Sequence, residues 1–107
     1  MTVTVKEANF SEFLSSSQSV LLHFWSDFCG LCKVQSRVLE QLEAKHRDRL
    51  RVGGVNTQDH PDWAEAFGIR STPTVLVFRQ GKLSARLTGV HSLTKIEDIL
   101  GKEEVLT

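Results

Sequence analysis

The run Val20-Leu21-Leu22-His23-Phe24-Trp25 constrains the fold of this chain more than any other stretch. It is too continuously apolar for a strand with one wet face, and it suits a strand at the centre of a sheet, covered on both sides. Cys29-Gly30-Leu31-Cys32 follows almost at once, and from there Leu31, Val34, Val38 and Leu42 recur at helical spacing through roughly Arg47, with Leu39 widening the stripe. A buried strand feeding a cysteine pair and then a long helix predicts an α/β fold with Cys29 at an exposed strand end.

Strand and helix signals alternate through the rest of the chain. Val3 and Val5 alternate with polar residues and predict a short first strand. Asn9-Phe10-Ser11-Glu12 resembles a capping box, with Asn9 as N-cap and Glu12 at N3, opening a helix that buries Phe10, Phe13 and Leu14. Ser15-Ser16-Ser17 ends it. Leu50 to Asn56 reads as a strand weakened by Gly53 and Gly54, which leave space in place of side chains. Asp59-His60-Pro61 starts a helix with Pro61 at N1, Ala64 and Phe67 face inward, and Gly68 stops it. Thr74 to Phe78 is a fourth strand, which Arg79-Gln80-Gly81-Lys82 turns into an antiparallel partner from Leu83 to Thr88. Ser92 caps a closing helix with Ile96, Ile99 and Leu100 on its apolar face, ended by Gly101. The order is βαβαβαββα, in a single domain over residues 1–107.

At 107 residues the chain can bury one core of sheet and helices. Thirteen basic residues balance thirteen acidic ones, so net charge draws it neither to nucleic acid nor to an anionic membrane. Met1 to Glu7 lacks the apolar stretch of a signal peptide and no later run approaches a bilayer span, so the expected compartment is the cytoplasm. Structural disulfides are rare there, which shifts a Cys-x-x-Cys pair toward catalysis or metal binding.

A cysteine at the first turn of a helix has its sulfur beside unpaired backbone N–H groups and the positive end of the helix dipole, both of which favour thiolate. Cys32, three residues on, lies on the same helix face. Cys29 can then attack a substrate disulfide and Cys32 can resolve the mixed disulfide. Tetrahedral zinc needs four ligands and the pair supplies two, so a metal site requires a second chain or a distant histidine, and none is expected.

With these residues in place, the chain resembles a thioredoxin along nearly its whole length. The resemblance rests on Phe24-Trp25-Ser26-Asp27-Phe28-Cys29-Gly30-Leu31-Cys32-Lys33 and Gly68-Ile69-Arg70-Ser71-Thr72-Pro73-Thr74, followed by Phe78, Gly81 and Gly89. It implies a central mixed five-stranded sheet flanked by about four helices. It also implies that Pro73 follows a cis peptide bond against the cysteines and that the backbone of Thr72 pairs with an incoming substrate peptide. Without the resemblance, about 5% of X-Pro bonds are cis and Pro73 would simply open a strand. Thr88, Gly89 and Val90 match the loop lining the family's substrate groove, and Trp25 packs beside its active site.

Three departures from the family pattern concern the tuning of the site. Phe28 replaces the usual Trp before the first cysteine and keeps an aromatic contact surface. Leu31 replaces Pro between Gly30 and Cys32, which restores a backbone N–H, frees φ and alters the redox poise; the resemblance implies a less strongly reducing couple, since family members with other residues between the cysteines tend to be weaker reductants. His23 stands where the family carries a buried aspartate, and Gly54 where that aspartate's lysine partner sits. A neutral imidazole is a competent base near neutral pH, so His23 is a candidate for proton transfer or thiol tuning, with Gly53 and Gly54 making room for the ring. The alternative is a core histidine that only packs. Asp27 reads as a solvated loop residue and Lys33 as a helix-surface lysine, while Trp63, His46, His60 and His91 keep no fixed spacing to the cysteines.

Two function classes follow. The first is a thiol-disulfide oxidoreductase that reduces protein disulfides through Cys29 and Cys32, with no bound cofactor, and takes its electrons from a thioredoxin reductase-type donor. An oxidase or isomerase poise lies within this class. The second is a thioredoxin-fold docking or scaffold module built on Phe28, Thr72-Pro73 and Gly89, against which the presence of both cysteines argues. Nothing in the sequence demands more than a monomer.

Overall fold

The computed structural model of the chain describes residues 3–15 and 18–106. Its elements are β1 (Val3–Thr4), α1 (Phe10–Leu14), β2 (Ser19–Trp25), α2 (Gly30–Lys45), β3 (Leu50–Asn56), α3 (Pro61–Ala66), β4 (Thr74–Arg79), β5 (Lys82–Thr88) and α4 (Leu93–Lys102). The sheet order is β1-β3-β2-β4-β5. β3 runs parallel to both β1 and β2, whereas β4 is antiparallel to β2 and to β5. This is the mixed five-stranded thioredoxin fold expected above.

The apolar run occupies β2, the middle strand, and Val20, Leu21, Leu22 and Phe24 are fully buried. Alternate side chains of a strand point to opposite faces. Leu21 therefore packs with Val52 and Val77 against Leu39 and Leu42 of α2 and Ile96 and Leu100 of α4. Leu22 and Phe24 face the other way, into a second core with Phe13 of α1, Val55 and Leu76. Each such aliphatic or aromatic side chain taken from water contributes about 1.5–3 kcal/mol, so both layers are anchored on one strand.

Several element ends match the expected chemistry. Ser92 Oγ accepts the Lys95 N–H at 3.2 Å and caps α4. The turn between β4 and β5 holds Gln80 and Gly81 at φ 54° and 77°, the left-handed pair that closes a two-residue hairpin. Pro61 opens α3.

Four expectations are corrected. Asn9 does not cap α1; a 3-10 turn over Glu7–Asn9 precedes the helix, and Asn9 Oδ1 instead accepts the Lys6 N–H at 2.8 Å. Gly101 does not end α4, which continues to Lys102 and stops before Glu104 at φ 61°. The buried face of α2 consists of Cys32, Gln35, Leu39, Leu42 and Glu43, while Leu31 and Val34 are exposed. The helix is rotated so that its first turn aims Cys32 inward. Ser16 and Ser17 lie outside the described residues, as do Met1, Thr2 and Thr107.

The fourth correction concerns the glycines. Gly53 makes room for Phe13 and Val5, not for His23: a Cβ there would lie 2.5 Å from Phe13 Cε2 and 2.6 Å from Val5 Cγ2. Gly54 is the residue that faces His23 across the β2–β3 ladder. Gly53→Val is expected to lower unfolding stability by about 1–3 kcal/mol through overpacking. Gly101→Ala, where a Cβ meets nothing within 4 Å, is expected to leave stability unchanged or raised, since helical alanine outdoes glycine by up to about 1 kcal/mol. Urea unfolding of the two variants checks the contrast; equal midpoints would refute it.

Candidate active site

β2 ends at Trp25, and residues 26–29 carry the chain from the sheet to α2. That connection is held from below: Thr57 N–H donates to Trp25 O at 2.9 Å and Asp27 N–H to Gln58 Oε1 at 3.0 Å. Cys29 takes an extended conformation as the N-cap of α2, and its Sγ accepts the Cys32 N–H at 3.1 Å. The same N–H also meets Cys29 O at 3.2 Å; at a helix start such a donor favours negative charge on the sulfur that receives it. The two cysteines are joined as a disulfide, with Cα atoms 5.3 Å apart. They are not equivalent: Cys29 is half-buried, whereas Cys32 is 2% exposed.

A second wall comes from the turn before β4. The Thr72–Pro73 peptide bond is cis, as the resemblance implied. Ser26 and Thr72 hydroxyls lie 3.4 Å apart, which sets this turn beside the loop that carries Cys29. Among the described residues the backbone of Thr72 takes part in no loop or turn hydrogen bond. A third wall follows β5, where Gly89 N–H donates to Pro73 O at 2.9 Å. Gly89 sits at φ 85°, a left-handed conformation that suits glycine, and the space at its Cβ position is open.

Apolar side chains stand out of this surface. Phe28 is 91% exposed, and Leu31, Val34 and Val90 are also exposed. Gly30 and Thr88 are exposed as well, with open space around the Gly30 Cβ position. Trp25 and Cys32 line a groove of about 470 Å³ beside α2, together with Lys33, Arg37 and Glu40. Asp27 and Lys33 are exposed, in keeping with their sequence reading.

His23 is buried inside β2, and its Nε2 has no hydrogen-bond partner among the described residues. Burial lowers its pKa from 6.5 to about 4, so it is neutral at neutral pH. It shares the α2-facing side of the strand with Leu21, two residues away. The other histidines are engaged elsewhere. His60 stacks on Trp63 with ring centroids 3.9 Å apart, and His46 Nε2 meets Glu97 Oε2 at 2.8 Å, fastening the end of α2 to α4. His91 Nδ1 donates to Gly89 O at 3.1 Å.

Gln35, Ser26 and Gln58 were not singled out in the sequence. Ser26 and Gln58 carry no signal there, because their partners are remote in the chain. Gln35 left one trace, a polar residue three positions after Cys32 and four before Leu39 on the helix. Among the described residues no group of three or more His, Cys, Asp or Glu side chains is placed to hold a metal ion, and no helix is long and apolar enough to cross a membrane.

A cysteine pair at a helix start, one residue partly exposed and the other covered, beside a backbone segment free to pair, is equipped for disulfide exchange with another polypeptide. Comparison with known proteins agrees. The thioredoxin family model matches residues 1–102. The chain is 32% identical over 96 residues to a thioredoxin of Alicyclobacillus acidocaldarius subsp. acidocaldarius, covering 90% of this chain and 91% of that one. It is 40% identical over 90 residues to a thioredoxin of Chlamydia caviae, covering 84% and 86% of the two chains. A bifunctional thioredoxin reductase/thioredoxin of Mycobacterium leprae is 34% identical over 90 residues, which make up 83% of this chain and 20% of that protein.

Proposed function

Because the chain belongs to the thioredoxin family and is a thiol-disulfide oxidoreductase, we propose that Cys29 is its attacking thiol and Cys32 its resolving thiol in the reduction of protein disulfides. The asymmetry of the two sulfurs carries this reading: Cys29 caps α2 where a partner can reach it, and Cys32 is covered. In the dithiol form, Cys29 thiolate attacks one sulfur of a partner disulfide, forms a mixed disulfide and expels the first partner thiolate. Cys32, having lost its proton, attacks Cys29 Sγ and expels the second. The partner gains two electrons and the chain ends in its Cys29–Cys32 disulfide.

Phe28, Leu31, Val90 and Trp25 supply apolar contact to the partner, Gly30 leaves the turn uncovered, and the Thr72 backbone pairs with an extended segment of it. Pro73, Thr88 and Gly89 form the opposite wall. Such exchange needs no bound cofactor. Electrons to restore the dithiol come from a thioredoxin reductase-type donor, a reading supported by the Mycobacterium leprae relative whose name joins the two activities in one protein. We place the reaction in the cytoplasm, where thiol systems keep such a pair reduced, and read the working form as a monomer of one domain.

His23 is a thiol-tuning group in this reading, because its unpartnered Nε2 is buried on the side of the sheet that α2 covers, while the burial that holds the ring neutral down to about pH 4 makes it a poor acceptor of the Cys32 proton. His23→Ala and His23→Asp are expected to change the pH dependence of disulfide reduction; unchanged profiles and rates would remove the role.

Equilibration with reduced and oxidised glutathione tests the couple itself. Cys29 and Cys32 are expected to titrate together as a two-electron pair, at a potential above that of ordinary thioredoxins, roughly −270 mV, because Leu31 loosens the turn. Independent titration of the two thiols would contradict the assignment, and a potential at or below that value would contradict the role of Leu31.

A further inference from the structure

Gln35 is fully buried on a helix face that it shares with Cys32, Leu39, Leu42 and Glu43. A buried amide is costly unless its donor and acceptor are both engaged. Both are engaged here, and by one residue. Gln35 Oε1 accepts the His91 N–H at 2.8 Å, and Gln35 Nε2 donates to His91 O at 3.2 Å. Rotating the amide by half a turn would set donor against donor and acceptor against acceptor, so the pair admits a single orientation. The bonds continue beyond His91: its Nδ1 donates to Gly89 O, and Gly89 N–H donates to Pro73 O at 2.9 Å. One network thus runs from the helix that carries Cys32, through the segment after β5, to the turn before β4.

We propose that Gln35 is a positioning residue that clasps the 89–91 wall of the groove to the cysteine helix and thereby sets how tightly a partner polypeptide docks. The proposal rests on the reading of this groove as the protein-disulfide site. Gln35 does not touch the reacting sulfurs. It acts through His91 and Gly89, so its loss falls on partner affinity while the exchange chemistry of Cys29 is retained. A glutamine that merely filled the core would affect stability and leave KM alone.

Steady-state reduction of insulin by the full chain separates these outcomes. Gln35→Leu keeps the volume and removes both bonds; KM is expected to rise about tenfold with kcat within about twofold. Gln35→Glu supplies a donor only when its carboxyl is protonated, so its KM relative to the unaltered chain is expected to fall back toward one as pH is lowered. A KM within twofold of the unaltered chain in both variants, or equal losses in kcat and KM, would overturn the proposal. Should Gln35→Leu not fold, amide exchange of the unaltered chain still decides: the His91 amide is expected to exchange at least about 100-fold more slowly than a free amide, and exchange at the free rate would overturn the clasp. Failure of the unaltered chain to reduce insulin would instead strike the function proposed above, which separates the two failures.

Discussion

Cys29→Ser reduces the turnover of protein disulfides to the uncatalysed rate, and Cys32→Ser accumulates the chain as mixed disulfides with its partners. The first outcome follows from the position of Cys29, whose sulfur caps α2 and receives the Cys32 N–H; a serine hydroxyl there is no substitute for a thiolate nucleophile. The second follows from the role proposed for the buried Cys32, that of releasing the partner. Without it, the bond between Cys29 and the partner waits for an outside thiol. Non-reducing electrophoresis and intact mass after incubation with a disulfide protein read both results. Retained turnover in Cys29→Ser, or Cys32→Ser trapped through no sulfur of Cys29, would reverse the assigned roles.

The second large effect is the loss of stability in mild acid. His23 is held neutral by burial, with a folded pKa of about 4 against 6.5 for the exposed group. As pH falls below 6.5 the unfolded chain binds a proton at this residue that the folded chain refuses, so unfolding becomes easier. The contribution is fully present above pH 6.5, is lost between 6.5 and 4, and changes no further below 4; it amounts to about 3 kcal/mol. Glu97 acts in a lower window. The hydrogen bond from Lys45, and next that from His46, hold its carboxyl below the usual value of 4.5, so its contribution is present above that value and lost as pH drops through the folded pKa. Urea midpoints measured from pH 7.5 to 4 are expected to fall steeply for the unaltered chain and much less for His23→Leu. Equal slopes would mean that His23 is not the buried neutral group described.

These effects differ in how far the sequence foreshadowed them. The central strand, the Ser92 cap and the Gln80-Gly81 hairpin were legible because each depends on residues adjacent in the chain. The cysteine pair was legible for the same reason, and the cis bond before Pro73 through resemblance to the family. What was misread depends on packing between remote segments. Leu31 and Val34 fit the apolar spacing of α2, yet the helix turns them outward so that Cys32 and Gln35 face the sheet. Periodicity shows that a helix has a stripe but does not say which end of the stripe a functional surface claims. Gly53 looked like space for His23, whereas the phenyl ring of Phe13 from α1 fills it. The bond between Gln35 and His91 joins positions 56 residues apart, and no local pattern announces it.

The central claim is that Cys29 and Cys32 together transfer two electrons to protein disulfides, and reduction of insulin by dithiothreitol with a catalytic amount of the unaltered chain tests it most directly. Precipitation of the freed insulin B chain is expected to begin far sooner with the chain than without it, and Cys29→Ser is expected to give no acceleration. A time course for the unaltered chain that coincides with the dithiothreitol blank would contradict the claim.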